Sequence, residues 1–334
     1  MSNEWISRPK PTTDFIRNIW HGKPYYSLDA YCKNTFGGKL YKVSLNAGLS
    51  CPNRDGTLDT RGCIFCSNGS GDFASPLTSG VDLENSFHNA YKEGIHALAG
   101  KSTGQRYIAY FQAFTNTYGP LPYLERIYRL ALAEPSVAGI SIATRPDALP
   151  GDVLKMLVRL KEEYAPKFIW VELGLQTIHE STACFIRRGY PLSCFNECLT
   201  LLYKAEIPVI THVILGLPGE TQQDILETIS YLNDTPISGM KLQLLHILKG
   251  TDLENLYQKN PDYYCPINSL DLYLDILIAC ITNLRPDLVI HRVTGDANRA
   301  LLLAPLWSSN KRNILNSLHR KMHKTDAFQG KFFQ

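Results

Sequence analysis

No stretch of this chain is long and apolar enough to cross a bilayer as a helix. The best run, Leu199 to Leu217, is broken by Lys204, Glu206 and His212. The first twenty residues hold Arg8, Lys10 and Arg17 but no apolar centre, so a secretory leader is not expected. Repeats of solenoid period and low-complexity tracts are missing too. The net charge of +3, with a pI near 8.3, is too mild to argue for nucleic-acid binding by itself. There is one C-x-x-C, Cys63-Ile64-Phe65-Cys66, and neither a second one nor paired histidines beside it. A closed zinc module would want both halves. These absences lead to the expectation of a cytoplasmic, membrane-free protein whose thiols stay reduced. Its nine cysteines then read as metal ligands plus small buried hydrophobes, not as disulfides.

What is present is ordinary in bulk. At 334 residues, 44% hydrophobic and 19% charged, the chain can build one large α/β barrel or two smaller domains. A core of that size needs no disulfide. Apolar, β-rich runs recur at Leu40–Asn46, Tyr107–Phe114, Val137–Ala143, Phe168–Leu175, Pro208–Leu215, Met240–Ile247 and Leu288–Val293. Most are continuous rather than alternating, as suits parallel strands covered on both faces. Helical patterns lie between them at Asp82–Ala97, Leu121–Ala133, Asp152–Glu163, Leu192–Ala205, Thr221–Asn233 and Ser269–Asn283. Asp152, Ser193 and Thr221 are start signals, each just after a proline or a Pro-Gly pair. Six βα units predict an incomplete (β/α)6 TIM-like barrel, with its chemistry on loops at the carboxyl ends of the strands. Residues 1–39 read as an N-terminal extension, 40–285 as the barrel and 286–334 as a small, basic, helical C-terminal domain. From His291 onward eight Lys or Arg face two acids. That end is either a track for a phosphate backbone or a solvated helix face.

The exception to the βα rhythm is the link from Ala47 to Gly80, rich in Gly, Asp, Asn and Ser. A loop of that length inside a compact domain is usually functional. It carries Cys51, Cys63 and Cys66. Gly56 and Gly62 permit the tight backbone that brings Cys51 round to the other two. Three thiolates suit a four-iron cluster with one iron left open to a small molecule, which would make the protein an enzyme. The alternative is zinc, with Cys32 or a histidine as fourth ligand. Cys184, Cys194 and Cys198 lack the spacing of a second cluster, and Cys265 and Cys280 read as core. His212, His246 and His291 read as hydrogen-bonded core residues.

The segments Cys51-Pro52-Asn53-Arg54-Asp55-Gly56 and Gly62-Cys63-Ile64-Phe65-Cys66-Ser67, followed by Gly69-Ser70-Gly71-Asp72-Phe73, resemble the radical S-adenosylmethionine superfamily. They resemble its widened-gap YhcC-type family and the radical domain of the Elongator catalytic subunit. The resemblance runs from about Lys39 to about Arg299, through the segments beginning at Tyr110, Ser141, Val171 and Leu215. It implies that Cys51, Cys63 and Cys66 hold a [4Fe–4S] cluster beside Phe65. S-adenosylmethionine would bind the open iron and be cleaved to a 5′-deoxyadenosyl radical, with flavodoxin or ferredoxin as electron donor. Gln112, Thr115 and Asn116 would contact the methionine amine, where Gly-Gly-Glu is more usual. Ser141, Thr144, Arg145 and Asp147 would line the cofactor, or else form a turn and helix cap. Glu172 is expected to be catalytic or to meet a ribose or ammonium partner; the alternative is an internal ion pair with Arg145. Gln176 would face substrate as a catalytic residue. Gly216 and Gly219 would pack adenine, or simply form an αβ turn. tRNA, at its wobble uridine, is the substrate the Elongator likeness suggests; a small molecule or a protein is the alternative, and a non-catalytic zinc-stabilised RNA-binding or adaptor protein the distant one.

Overall fold

A computed structural model describes residues 11–67, 74–77, 82–98 and 104–333. The Gly69 to Phe73 part of the motif lies outside them. In chain order the helices are α1 Thr13–Ile19, α2 Leu28–Phe36, α3 Leu83–His96, α4 Leu121–Ala133, α5 Gly151–Glu163, α6 Glu180–Phe185, α7 Leu192–Lys204, α8 Gln222–Asn233, α9 Asp252–Lys259, α10 Pro261–Tyr264, α11 Leu270–Asn283 and α12 Lys311–Lys324. The strands are β1 Tyr41–Asn46, β2 Ser75–Pro76, β3 Tyr107–Phe111, β4 Val137–Thr144, β5 Phe168–Gln176, β6 Val209–Leu215, β7 Gly239–Leu244, β8 Ile247–Leu248, β9 Val289–Arg292 and β10 Leu302–Ala304. Among the described residues eight strands form one sheet in the order β2-β1-β3-β4-β5-β6-β7-β9, every pair parallel. Strands β1 and β3 to β7 are the incomplete barrel, with helices outside. Thr221 starts α8 in a full capping box with Asp224, as its position after Pro218-Gly219 predicts.

The outer face of the sheet is apolar. Val43, Phe111, Ile142, Leu173, Leu215 and Leu242 sit in the main core against the helices. Each such side chain contributes roughly 1.5–3 kcal/mol by burial. The inner face is layered, because successive side chains alternate sides. At the bottom Leu40, Ile108, Trp170 and Ile210 pack on Cys32, Tyr31 and Phe36 of α2, which plugs that end. Two residues further along the strands come Lys42, Tyr110, Glu172 and His212, joined by Lys241 from the register of β7 on β6. The middle of the barrel is therefore polar although its strands read as apolar runs.

Two expectations about elements change. The run Tyr107–Phe114 stops as a strand at Phe111, because Ala113 (φ 75°) and Phe114 (φ 59°) turn left-handed and lead the chain over the barrel mouth. Met240–Ile247 divides into β7 and β8, and β8 pairs antiparallel with β10. Sheet pairing crosses residue 285, since β9 adds in parallel to β7. The N- and C-terminal segments meet over β9. There Gln329 accepts from Tyr26 N at 2.9 Å and donates to Arg285 O and Leu288 O, both at 2.8 Å.

Candidate active site at the barrel mouth

The loop after β1 is folded by its own short hydrogen bonds. Cys51 O accepts from Arg54 N at 2.8 Å and Asp55 N at 3.2 Å; Gly62 N reaches Asn53 O at 2.6 Å, and Cys66 N reaches Cys63 O at 3.0 Å. Gly56 (φ 91°) and Gly62 (φ 75°) occupy conformations costly for other residues, as expected from sequence. Arg54 clamps the end of the loop, donating to Cys66 O at 2.7 Å while lying 5.1 Å over the Phe114 ring. Ile64 anchors it below, buried with Ile186, Ile214 and Leu217.

Cys51, Cys63 and Cys66 all line one cavity of about 280 Å³, together with Phe65, Thr115, Thr144, Arg145, Glu172 and Gln176. A second cavity of about 370 Å³ adjoins it, sharing Phe65, Cys66, Phe114 and Gln243 and adding Gln112. Burial, then the neighbouring Cys66, pushes the Cys63 thiol up to about 12, with Arg145 and Asn53 opposing. Asn53 Nδ2 lies 3.7 Å from its sulfur. A buried thiol of this kind keeps its proton until a cation replaces it.

The donor set fits a cluster better than zinc. Among the described residues, the trio of ligating types whose donor atoms gather within 4.8 Å is His179, Asp224 and Glu227, away from the cysteines. One tetrahedral zinc with bonds of about 2.3 Å would draw its sulfurs to about 3.8 Å. The fourth ligands that zinc would need are also spent. Cys32 is buried at the opposite end of the barrel. His212 lines the cavity, but its Nε2 is 2.7 Å from Glu172 and its Nδ1 is 3.4 Å from Gln243 Nε2. Cys184 is exposed on α6, while Cys198 is buried on α7 and Cys194 lies one turn before it.

Glu172 has no exposed surface. Lys42 and Lys241 each pair with one of its oxygens. Ser141 Oγ donates at 2.6 Å and His212 Nε2 at 2.7 Å. Burial alone would raise its pKa; Lys241 and Lys42 overcome that and hold the carboxyl well below its ordinary range. Burial, then Lys241, pushes His212 down to about 4, so it is the neutral member. The ammonium partner expected of this buried carboxylate is thus a pair of lysines within the protein, and the alternative ion pair with Arg145 is corrected. Arg145 instead makes a bidentate pair with Asp147 at 2.9 and 2.7 Å and lies 4.9 Å over the Tyr190 ring. Lys42 and Lys241 were not singled out in the sequence, yet a lysine inside an apolar strand run was the available signal.

Other expected residues divide. Thr115 lines the cavity, and its buried Oγ1 has no partner. Asn116 ties the turn, Nδ2 donating to Ala113 O at 3.1 Å and Ala143 O at 3.0 Å. Ser141 serves Glu172, and Asp147 serves Arg145. Gly216 (φ 84°) and Gly219 (φ 86°) make a turn: a Cβ would meet Ile267 at 3.0 Å and the Tyr263 hydroxyl at 3.2 Å respectively. Neither glycine lines the two mouth cavities, and Leu217 between them packs beneath Ile64. Gln176 (φ 66°) ends β5 at a register shift, its Oε1 3.4 Å from the Tyr190 hydroxyl.

The chain is 40% identical over 318 residues to YtqA of Bacillus subtilis, covering 93% of this chain and 94% of that one. It is 34% identical over 291 residues to YhcC of Escherichia coli, covering 86% and 89%. A tRNA uridine(34) acetyltransferase of Dehalococcoides mccartyi is 28% identical over 196 residues, 57% of this chain and 40% of that one. Among solved structures, an N-terminally truncated archaeal Elp3 of Methanocaldococcus infernus shares the fold at a TM-score of 0.60 and 13% identity, over 87% of this chain and 64% of that one. The model of the Radical SAM superfamily matches residues 60–232, and that of its C-terminal domain matches 237–324. Over a polar barrel mouth ringed by three cysteines, these matches make the chain a member of the radical SAM superfamily, enzymes that use a [4Fe–4S] cluster and S-adenosylmethionine and need a reductant.

Proposed function

We propose that Cys51, Cys63 and Cys66 hold the cluster, that S-adenosylmethionine lies in the cavity these cysteines line, and that the substrate is tRNA at its wobble uridine. When bound, the pair supplies reductive cleavage to a 5′-deoxyadenosyl radical able to take a hydrogen atom. The chain's own work is binding, orientation and exclusion of water. The single observation that carries this reading is the convergence of the three cysteines on one cavity with Arg145 and the unpartnered Thr115 hydroxyl. Arg145, held in place by Asp147 and Tyr190, is placed to meet an anionic end of the cofactor, and Thr115 Oγ1 to accept from or donate to its polar groups. Phe65 and Phe114 line both cavities. Flavodoxin or ferredoxin, in the cytoplasm, would supply the electron.

Two observations favour tRNA. One is the 196-residue similarity to a tRNA-modifying relative. The other is α12, whose Arg312, Arg320 and Lys324 are exposed. Lys311 and Lys321 are committed to Asp296 and Asp275, so the free part of the basic face is the first three. Asp296 lines the mouth, so α12 begins at the rim. Three experiments test the reading. Anaerobic reconstitution and reduction should yield 5′-deoxyadenosine, and total tRNA from cells lacking the protein should lose a wobble-uridine modification. An unchanged nucleoside profile would move the substrate to a small molecule or a protein. In direct binding, neutralising Arg312, Arg320 and Lys324 together should lower the log–log salt slope by about 2–3. Binding indifferent to salt and to these changes would remove tRNA.

A further inference from the structure

The mouth cavity that adjoins the cysteines has more positive charge than its acids can neutralise. Lys241 and Arg292 line it, and Asp296 is the one acid among its lining residues. Asp296 faces both Arg292, at 3.1 Å, and Lys311. Deeper in, Glu172 faces both Lys42 and Lys241. Two cations of the lining thus each share their carboxylate with a lysine just outside it, Lys241 with Lys42 and Arg292 with Lys311. The buried Lys241 is left with half a carboxylate and the part-exposed Arg292 likewise, an arrangement that an anion in the cavity between them would complete. Burial pushes the Lys241 ammonium down, and Lys42 and Arg292 add to this against Glu172, as expected of a cation short of negative partners. A separate feature points to a ligand as well. His246 lines the same cavity, and its buried Nε2 has no partner. Burial, then Lys311, pushes that ring down to about 4, so it is a neutral imidazole able to donate or accept one hydrogen bond.

We propose that this cavity is an oxyanion subsite, in which Arg292, Lys241 and His246 hold a carboxylate or phosphate of the substrate beside the cysteine-lined cavity. The assignment rests on the cysteine-lined cavity being the cofactor's. Arg292 supplies a planar fork of donors, Lys241 a point charge from below, and His246 a single hydrogen bond.

The test uses the full chain without its cluster, at fixed ionic strength maintained with chloride. Inorganic phosphate and acetate are titrated separately, and the thermal unfolding midpoint is followed. A midpoint that rises with saturation is expected. Arg292→Gln, at a half-buried position, should weaken the response at least tenfold, and Lys241→Met should do the same if it folds. Lys155→Gln, on the exposed face of α5, should respond like the unaltered protein. A stronger response to phosphate assigns the subsite to the nucleic-acid backbone, and a stronger response to acetate assigns it to a carboxylate on the substrate. A response identical in Arg292→Gln and the unaltered protein overturns the proposal. So does displacement of the probe by S-adenosylmethionine, since the anion would then be the cofactor's own carboxylate. Cleavage of S-adenosylmethionine by the unaltered, reconstituted protein is measured separately, so loss of the cofactor reading is distinguishable from loss of the subsite.

Discussion

Cys63→Ala is expected to stay colourless after anaerobic treatment with iron and sulfide, and to form 5′-deoxyadenosine no faster than the reductant alone. The size of the effect follows from the ligand count. A cluster held by three thiolates that loses one keeps two anchors, and the remaining lining of the cavity offers no replacement. Glu172 is taken by two lysines, and His212 is held between Glu172 and Gln243. Position matters as well as number. The Cys63 thiol is pushed up by burial and by Cys66, so its substitution removes a ligand that gives up its proton only to a metal. Cys280→Ala provides the contrast, since Cys280 is wholly buried in the main core. It should lose stability without losing colour. A brown Cys63→Ala protein that still cleaves S-adenosylmethionine would mean that these three cysteines are not the ligands.

The loop of cysteines was legible because its chemistry is local. Spacing, the two glycines and the break in the βα rhythm all lie within some twenty residues, and the structure keeps them as one hydrogen-bonded unit. The strands were legible for a related reason: parallel strands covered on both faces read as apolar runs. The polar layer was not legible. Lys42, Tyr110, Ser141, Glu172, His212 and Lys241 come one from each strand, and only the closing of six staggered strands brings them into contact. Each alone looks like an isolated polar residue in an apolar run. The pairing of Glu172 with lysines rather than Arg145 was hidden for that reason, because proximity in the chain favours neighbours at strand ends over partners across a barrel. The turn at Ala113 and Phe114 was hidden differently. Neither residue type signals a positive φ, which here is imposed by tertiary bonds from Thr115 N to Ser50 O and from Asn116 N to Ala143 O.

Glu172→Gln is expected to destabilise the cluster-free protein by about 3–5 kcal/mol, the usual cost of leaving a buried cation without its partner. Glutamine keeps the shape and can still meet Ser141 and His212, so the loss isolates the charge. Lys241 is the residue stranded, being 2% exposed and held by Glu172 and by the Tyr110 hydroxyl at 3.1 Å. Lys42, nearer the surface at 16% side-chain exposure, can turn to water. The double variant Glu172→Gln, Lys241→Met should therefore recover part of the loss, with a coupling of about 0.5–3 kcal/mol. The pH dependence has a fixed sign. The folded carboxyl lies below its ordinary value because Lys241 and Lys42 outweigh burial, so its contribution is full above the unfolded pKa of about 4.3 and disappears as pH falls towards the folded value. Denaturant unfolding of the unaltered protein and of Glu172→Gln should give a constant difference from pH 7 down to about 5, narrowing below about pH 4. A difference under about 1 kcal/mol at pH 7 would mean that Lys241 is neutral in the fold. The polar layer would then be a hydrogen-bonded floor rather than a charged one, and the positive excess at the mouth would shrink to Arg292 and Lys311 against Asp296.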